Sequence, residues 1–448
     1  MPGLVGAYLV LFMQAGFALL TCGLVRKKNA AHLVMLSLSA YVFAFIAYYA
    51  VGFAFEFGGS AVNAGPSNLG GTPTLDQFLI GRGHWGFVGG SGFFLNGVAD
   101  DARSSAVAVF AVAFMLIAAY ILVGAICERI TFGAFVLCEL FVGGILYPVF
   151  GCWVWGGGWL SRLGSTLAVG RGYVDFAGSS VIHAVGGFCA MALAIILGPR
   201  LGKYGPDGAP RPFPAHNIVF VVIGTFILLF GWMGLNPGAT PGATDLRAAL
   251  IAVNTNLAAV GGAASAMLFW YLSFGKPDIS MACNGMLAGL VAISAGCAFV
   301  GPGAAGVIGV LAGLLACAGV LFNERVLKID DPCGSISVHG YCGWLGAVAV
   351  GIFADGTYGA VWNGAGAGIN PGTAGQGVAG LLHGDVHQFV VQLGGASLCA
   401  AFAFGATYVV FKVVDRLWPM RVEPDVEMEG LDLPEFGMLA YPEEEGLP

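Results

Sequence analysis

The chain has 448 residues, of which 58% are hydrophobic and only 10% charged, with a mean hydropathy of +0.84. A soluble domain carries about 25% charged residues, so this composition excludes an ordinary water-facing fold and points to a bundle of membrane spans. The net charge of -7 collects largely in the tail from Glu423 to Glu445, and the absence of a basic patch argues against a nucleic-acid partner.

A helix needs about 20 mainly apolar residues to cross the hydrocarbon. On that scale the sequence predicts eleven spans, at about 3–24, 32–54, 105–127, 132–154, 177–198, 216–237, 247–271, 280–299, 302–322, 334–354 and 388–413. The expected fold class is therefore all-α and polytopic. A membrane domain occupies 1–413, with halves of about 1–198 and 216–354 plus an eleventh helix, and 414–448 forms a tail. Gly-rich polar stretches separate the spans. Those from Gly58 to Arg103 and from Asp355 to Asp385 are too long to be simple turns.

The first apolar run is not a signal peptide. It lacks a positive segment ahead of it, and Arg26, Lys27 and Lys28 follow it instead. That order puts the N-terminus outside. The six lysines (Lys27, Lys28, Lys203, Lys276, Lys328 and Lys412) then all fall in cytoplasmic connections or at cytoplasmic ends of spans. The expected location is a cell membrane crossed many times, with the tail in the cytoplasm. The cysteines lie mostly within apolar runs without a CxxC pair and read as small hydrophobes. Glycines at small-xxx-small spacing, such as Gly285 with Gly289 and Gly309 with Gly313, predict close helix packing.

An internal repeat carries the first functional signal. Asp175, Gly178, Ser179, His183 and Gly187 recur at the same offsets as Asp331, Gly334, Ser335, His339 and Gly343. The first copy opens the fifth span and the second opens the tenth. An odd number of spans separates them, so the halves are inverted, five plus five, as in many transporters. Each histidine lies eight residues beyond its aspartate, or about 12 Å along a helix rising 1.5 Å per residue. Half the hydrocarbon is about 15 Å thick, so the two rings approach the midplane from opposite faces. Ionisable residues at that depth mark a function by default. Imidazole can donate from one nitrogen and accept at the other, which suits a dry pore and a proton relay. The aspartates sit at helix starts, where a carboxylate caps backbone N–H groups. Asp175, expected to face the exterior, would also favour an arriving cation.

These residues resemble the twin-histidine segments of the ammonium transporter and Rhesus protein family, and the likeness runs through nearly the whole chain. Gln14 to Asn29 is similar to the family's first span and loop, and Gly124 to Ile130 to the end of its third span. Tyr147 to Gly158 is similar to the end of its fourth, Gly231 to Gly238 to its sixth, and Gly430 to Tyr441 to its C-terminal segment.

The resemblance implies the eleven-helix ammonium transporter fold, assembled in the lipid bilayer as a homotrimer with one pore per subunit. It implies ammonium or ammonia as substrate, methylammonium as a second one, and a PII-type regulatory protein as cytoplasmic partner. It assigns substrate recruitment to Trp155, Phe114 and Asp175, and the pore to His183, His339, Phe114, Trp232 and Leu235. No cofactor or metal is implied.

This chain also departs from the family pattern. Leu235 stands where the inner gate phenylalanine is expected, and Ala239 where the recruitment site has serine, with Thr240 adjacent. Phe436 and Met438 replace a histidine and a glutamate in the tail, which bears on coupling between subunits and on docking of the regulator.

Two functions remain: a transporter, or a receptor of the same fold that senses ammonium with weak or no conduction. An enzyme is not expected, since no HExxH or comparable cluster is present. His383, Asp385 and His387 have ligand-like spacing but read as a solvated loop. His32, His84 and His216 read as interfacial or loop residues.

Overall fold

The computed structural model describes residues 2–63, 74–100, 102–240, 246–360, 362–364 and 377–442. Among these, ten helices are long and apolar enough to cross a membrane. They are α1 (Leu4–Leu24), α2 (Lys27–Phe57), α3 (Ser104–Ile126), α4 (Phe132–Val154), α5 (Ser179–Leu197), α6 (Ile218–Ala239), α7 (Arg247–Phe274), α9 (Pro302–Leu327), α10 (Ile336–Phe353) and α11 (Val386–Leu417). Between α7 and α9 stands α8 (Ile279–Ser294), a shorter apolar helix of 16 residues. Its predicted span of 280–299 is part helix and part turn. After Ser294 the chain leaves helical geometry, and the carbonyls of Cys297 and Val300 accept from the Asn254 amide of α7. Parts of the two long predicted loops (64–73, 361 and 365–376) and the acidic residues Glu443, Glu444 and Glu445 lie outside the described residues.

The first long loop holds an antiparallel hairpin that the all-α reading did not foresee, β1 (Phe78–Arg82) with β2 (Trp85–Gly89). The strands are anchored from outside themselves. Trp153 Nε1 donates to the Phe87 carbonyl, Trp159 N donates to the Gly86 carbonyl, and the Trp85 and Trp159 rings stack at 6.5 Å.

Small residues set the packing. α1 runs along α6, and α7 is gripped between α8 and α9. The predicted glycine pairs explain the grip. A Cβ on Gly289 or Gly309 would strike the Ala258 carbonyl of α7, and one on Gly285 or Gly313 would strike that of Gly262. Two positions on one helix are thus met from both sides by glycine, which lets backbones touch where apolar burial alone supplies no drive. All eleven cysteines are buried and free.

The start of α10 lies beside the ends of α3 and α5. Cys333 N donates to the Gly124 carbonyl, and Arg200, just past α5, holds Asp330 through N, Nε and Nη2. The start of α5 lies instead beside the end of α4 and the turn after α8. Phe176 N and Ala177 N donate to the carbonyls of Ala295 and Ser294, and Trp155 reaches the Asp175 carbonyl. The two repeat helices therefore enter from opposite sides.

The side bearing Asp330 also receives the tail, through buried charges that are each matched. Glu128 accepts from Arg26 and Arg200, and Arg129 donates to the carbonyls of Ala125, Cys127, Gly198 and Asp330. Burial pushes the Glu128 and Asp330 carboxyls up, but their arginines outweigh it and hold both below the usual carboxylate range. Their stabilisation is present at neutral pH and lost only as pH falls through the depressed values.

The tail folds back over this network as α12 (Pro424–Glu429) and α13 (Asp432–Phe436). Glu427 accepts from Arg421 and Leu201 N, and Asp432 accepts from the backbone N–H groups of Ala31 and His32 at the start of α2. Glu435 accepts from Phe132 N at the start of α4. The Phe436 ring lies 5.8 Å from that of His32 and 5.5 Å from that of Phe132, whereas Met438 is exposed. His32 is consequently fully buried beneath the tail rather than interfacial.

Replacing Asp432 by alanine removes a helix cap worth about 1 kcal/mol. The expected result is faster amide hydrogen exchange at Ala31 and His32, with exchange in α7 unchanged.

Candidate functional site

Each histidine helix starts in the same unusual way. Ser179–Ala184 and Ile336–Tyr341 are both π-helical turns, a geometry that recurs at functional positions because it widens the helix and redirects side chains. The repeated glycines Gly178 and Gly334 have φ of 102° and 78°, values that L side chains rarely adopt. The repeated aspartates close each start. Asp331 accepts from Ser335 N and Ile336 N. Asp175 accepts from the backbone N–H groups of Gly178, Ser179, Ser180 and Val181 and from the Ser180 hydroxyl.

The last repeated glycines let the two helices cross. A Cβ on Gly187 would collide with the backbone of Gly340, next to His339. One on Gly343 would collide with the Ser179 carbonyl. The crossing brings the histidines together: His183 Nδ1 lies 3.2 Å from His339 Nδ1, and the rings lie 5.2 Å apart, inclined by 21°. Both are buried. One Nδ1 must donate while the other accepts, so the contact fixes opposite tautomers in the two rings. His183 Nε2 has no hydrogen-bond partner among the described residues.

Trp232 of α6 stacks on His183 at 5.2 Å and 14°, and its Nε1 donates to Ser294 Oγ. On the other side Phe17 lies 6.3 Å from His339 and 5.3 Å from Tyr120. Beyond His339, towards the side of the tail, is a cavity of about 20 Å³ whose walls include Phe17, Thr21, Tyr120, Asn284, Ser335 and His339. A cavity of that size holds about one molecule as small as water.

The remaining predicted site residues lie on the side where α5 begins. The Phe114 and Trp155 rings are 5.9 Å apart, with Phe110 a further 4.2 Å from Phe114. Leu235 is fully buried three residues beyond Trp232, at the same end of α6 as Ala239. Thr240 donates its hydroxyl to the Pro237 carbonyl.

Asp175 does not face the exterior as expected. Its side chain is 1% exposed and its five donors lie within its own helix start. The reason is the cost of a buried carboxylate, which must be hydrogen-bonded on all sides. Its contribution to the aromatic cluster is made by its backbone, since Trp155 Nε1 donates to the Asp175 carbonyl at 2.7 Å.

Of the other histidines, His84 is exposed in the hairpin turn, and His216 contacts the Val25 carbonyl and the Tyr441 hydroxyl. His383 and His387 are exposed, and Asp385 between them caps α11 through Gln388 N. Phe17, Tyr120 and Ser294 were not singled out from sequence. Each reads as an ordinary span residue until the helices are brought together.

The family model described as Ammonium Transporter Family matches residues 3–441. Ammonium transporter Amt2 of Archaeoglobus fulgidus is 43% identical over 441 residues, covering 98% of this chain and 87% of the relative. The ammonium transporter of Bacillus subtilis is 32% identical, covering 97% and 96%. Among solved structures, a protein named Sensor Amt Protein superposes with a TM-score of 0.82 at 32% identity, covering 97% of both chains. Mep2 of Saccharomyces cerevisiae gives 0.77 at 28%, covering 94% of this chain and 86% of the other.

Replacing Asp175 by alanine leaves four N–H groups without their acceptor. Loss of the charged cap is expected to cost about 3 kcal/mol or more, read as a lower melting temperature in detergent. The Trp155 fluorescence should shift with it, since both hang on the same helix start.

Proposed function

Because the chain belongs to the ammonium transporter family, a family of membrane transporters rather than enzymes, we propose that it moves ammonium across the cell membrane through a pore centred on His183 and His339. The observation that carries this reading is the 3.2 Å contact between the two Nδ1 atoms, buried where helices of opposite direction cross.

Trp155 and Phe114 recruit the cation on the outer side. Ring faces attract it by about 0.5–2 kcal/mol. A bare cation at the bilayer centre is costly, so ammonium gives up a proton before it passes. His183 Nε2 is free to take that proton. As it does so, the Nδ1 proton of His183 moves to His339 Nδ1, and His339 releases its own Nε2 proton towards the cavity on the tail side. Each ring thereby changes tautomer, and the pair carries charge only in transit. Ammonia follows along the Nε2 edges of the rings, accepting from the His183 Nε2 proton and donating to His339 Nε2.

The N-terminus lies outside and the tail inside, as the lysines require. Large apolar side chains such as Phe226, Phe230, Val260 and Leu272 are exposed and suit lipid or neighbouring subunits of a homotrimer. Methylammonium would follow the same path. The tail already caps α2 and α4 of its own subunit and carries Phe436 and Met438, so a PII-type partner would meet a surface unlike its usual one.

The second reading, an ammonium receptor with weak conduction, is favoured by the structural likeness to a protein named a sensor. Electrical recording during an ammonium pulse, on protein reconstituted in liposomes, separates the two. Transport predicts a current in the native protein that falls by about 100-fold in the His183→Ala/His339→Ala variant, the scale of a lost acid–base pair. No current and no uptake in the native protein, with ammonium binding retained, would establish the receptor instead. Leu235→Phe adds a ring where the chain has an aliphatic side chain, and is expected to lower the maximal current by narrowing the outer approach.

A further inference from the structure

Asn236 caps the α-helical part of α6 one turn beyond Trp232, on the same helical face, since its N–H still donates to the Trp232 carbonyl. It is fully buried. Its amide is anchored, with Nδ2 donating to the Thr255 hydroxyl of α7 at 3.1 Å, and that hydroxyl donates in turn to the Ile251 carbonyl at 2.7 Å. This chain fixes which end of the amide is nitrogen. It leaves Asn236 Oδ1 a buried acceptor with no donor among the described residues. Such an oxygen is costly in a dry interior unless a donor reaches it. Two features lie beside it along the same helix. Trp232, one turn inward, stacks on His183, and Ala239, three residues outward, offers no hydroxyl.

We propose that Asn236 Oδ1 is a substrate-binding acceptor, taking an N–H from ammonium between the Phe114–Trp155 cluster and His183. It supplies the hydrogen bond that Ala239 cannot. The proposal rests on the ammonium reading of the site and adds a specificity-determining residue to it. A carbonyl dipole suits this position because it attracts a cation without trapping it, as a carboxylate would. Each methyl group on a substituted ammonium removes one N–H, so fully methylated cations lose this contact while keeping the aromatic one.

The test compares Asn236→Ala with Thr255→Val in the full-length protein, reconstituted for uptake of labelled methylammonium. The first variant removes the acceptor and the anchor. The second removes only the anchor. Asn236→Ala is expected to raise the half-saturation concentration about tenfold, the scale of one hydrogen bond to a charged group, with Thr255→Val within about twofold of the native protein. Equal losses in both variants, or an unchanged half-saturation in Asn236→Ala, would overturn the proposal in favour of a purely structural amide. Should the native protein take up nothing, the transport reading has failed, and calorimetric titration with ammonium chloride makes the same comparison on affinity. A tenfold loss confined to Asn236→Ala supports the acceptor there too, and its absence refutes it.

Discussion

Hydrocarbon offers no hydrogen bonds, and that constraint organises everything around the two histidines. A helix that begins inside a membrane protein exposes four N–H groups with nothing to receive them. Asp175 and Asp331 answer that need from within the chain. Once capped, α5 and α10 can start below the surface and run inward from opposite sides. Where they cross, Gly187 and Gly343 remove the side chains that would hold the backbones apart. The contact between the rings follows from the caps and the glycines together.

The frame that holds this crossing is built from backbone approach more than from large side chains. Ala258 and Gly262 of α7 are each met by glycines from α8 and α9. Such contacts are short-ranged and tolerate little displacement, so they hold the helices around the histidines in fixed positions. On the side of the tail, charge performs the same service. Arg129 draws the carbonyl ends of two helices and the Asp330 carbonyl together, and Glu128 is held at a φ of 66° between Arg26 and Arg200. A buried charge network of this kind is costly to break by halves. The tail that covers it is therefore joined to the membrane domain and not simply appended to it.

The two approaches to the histidines are chemically unlike. One is aromatic, with Phe110, Phe114, Trp155 and Trp232 in succession. The other is a small mixed cavity with Thr21, Tyr120, Asn284 and Ser335 in its wall. π faces favour a cation, whereas hydroxyls and amides serve a neutral molecule or water equally well. The inverted repeat made the two helix starts alike and left their surroundings free to differ. That difference is one of chemistry, with π faces on one side of the histidines and hydroxyl and amide groups on the other.

The sequence by itself determined ten of the eleven spans, the inversion and the capping role of the aspartates. Each of these depends on composition or spacing along one segment, where hydropathy and helical rise apply without reference to anything remote. The membrane-spanning fold and the family were legible for the same reason. Only the tertiary structure decided that Asp175 is saturated by its own helix start, that Trp232 lies on His183, and that His32 is sealed beneath Phe436. It also decided that the first long loop is a hairpin pinned by Trp153 and Trp159. These are matters of which side chain meets which across a helix crossing. A partner 49 or 156 residues away leaves no trace in local periodicity, and a polar group in hydrocarbon takes whichever partner the crossing brings.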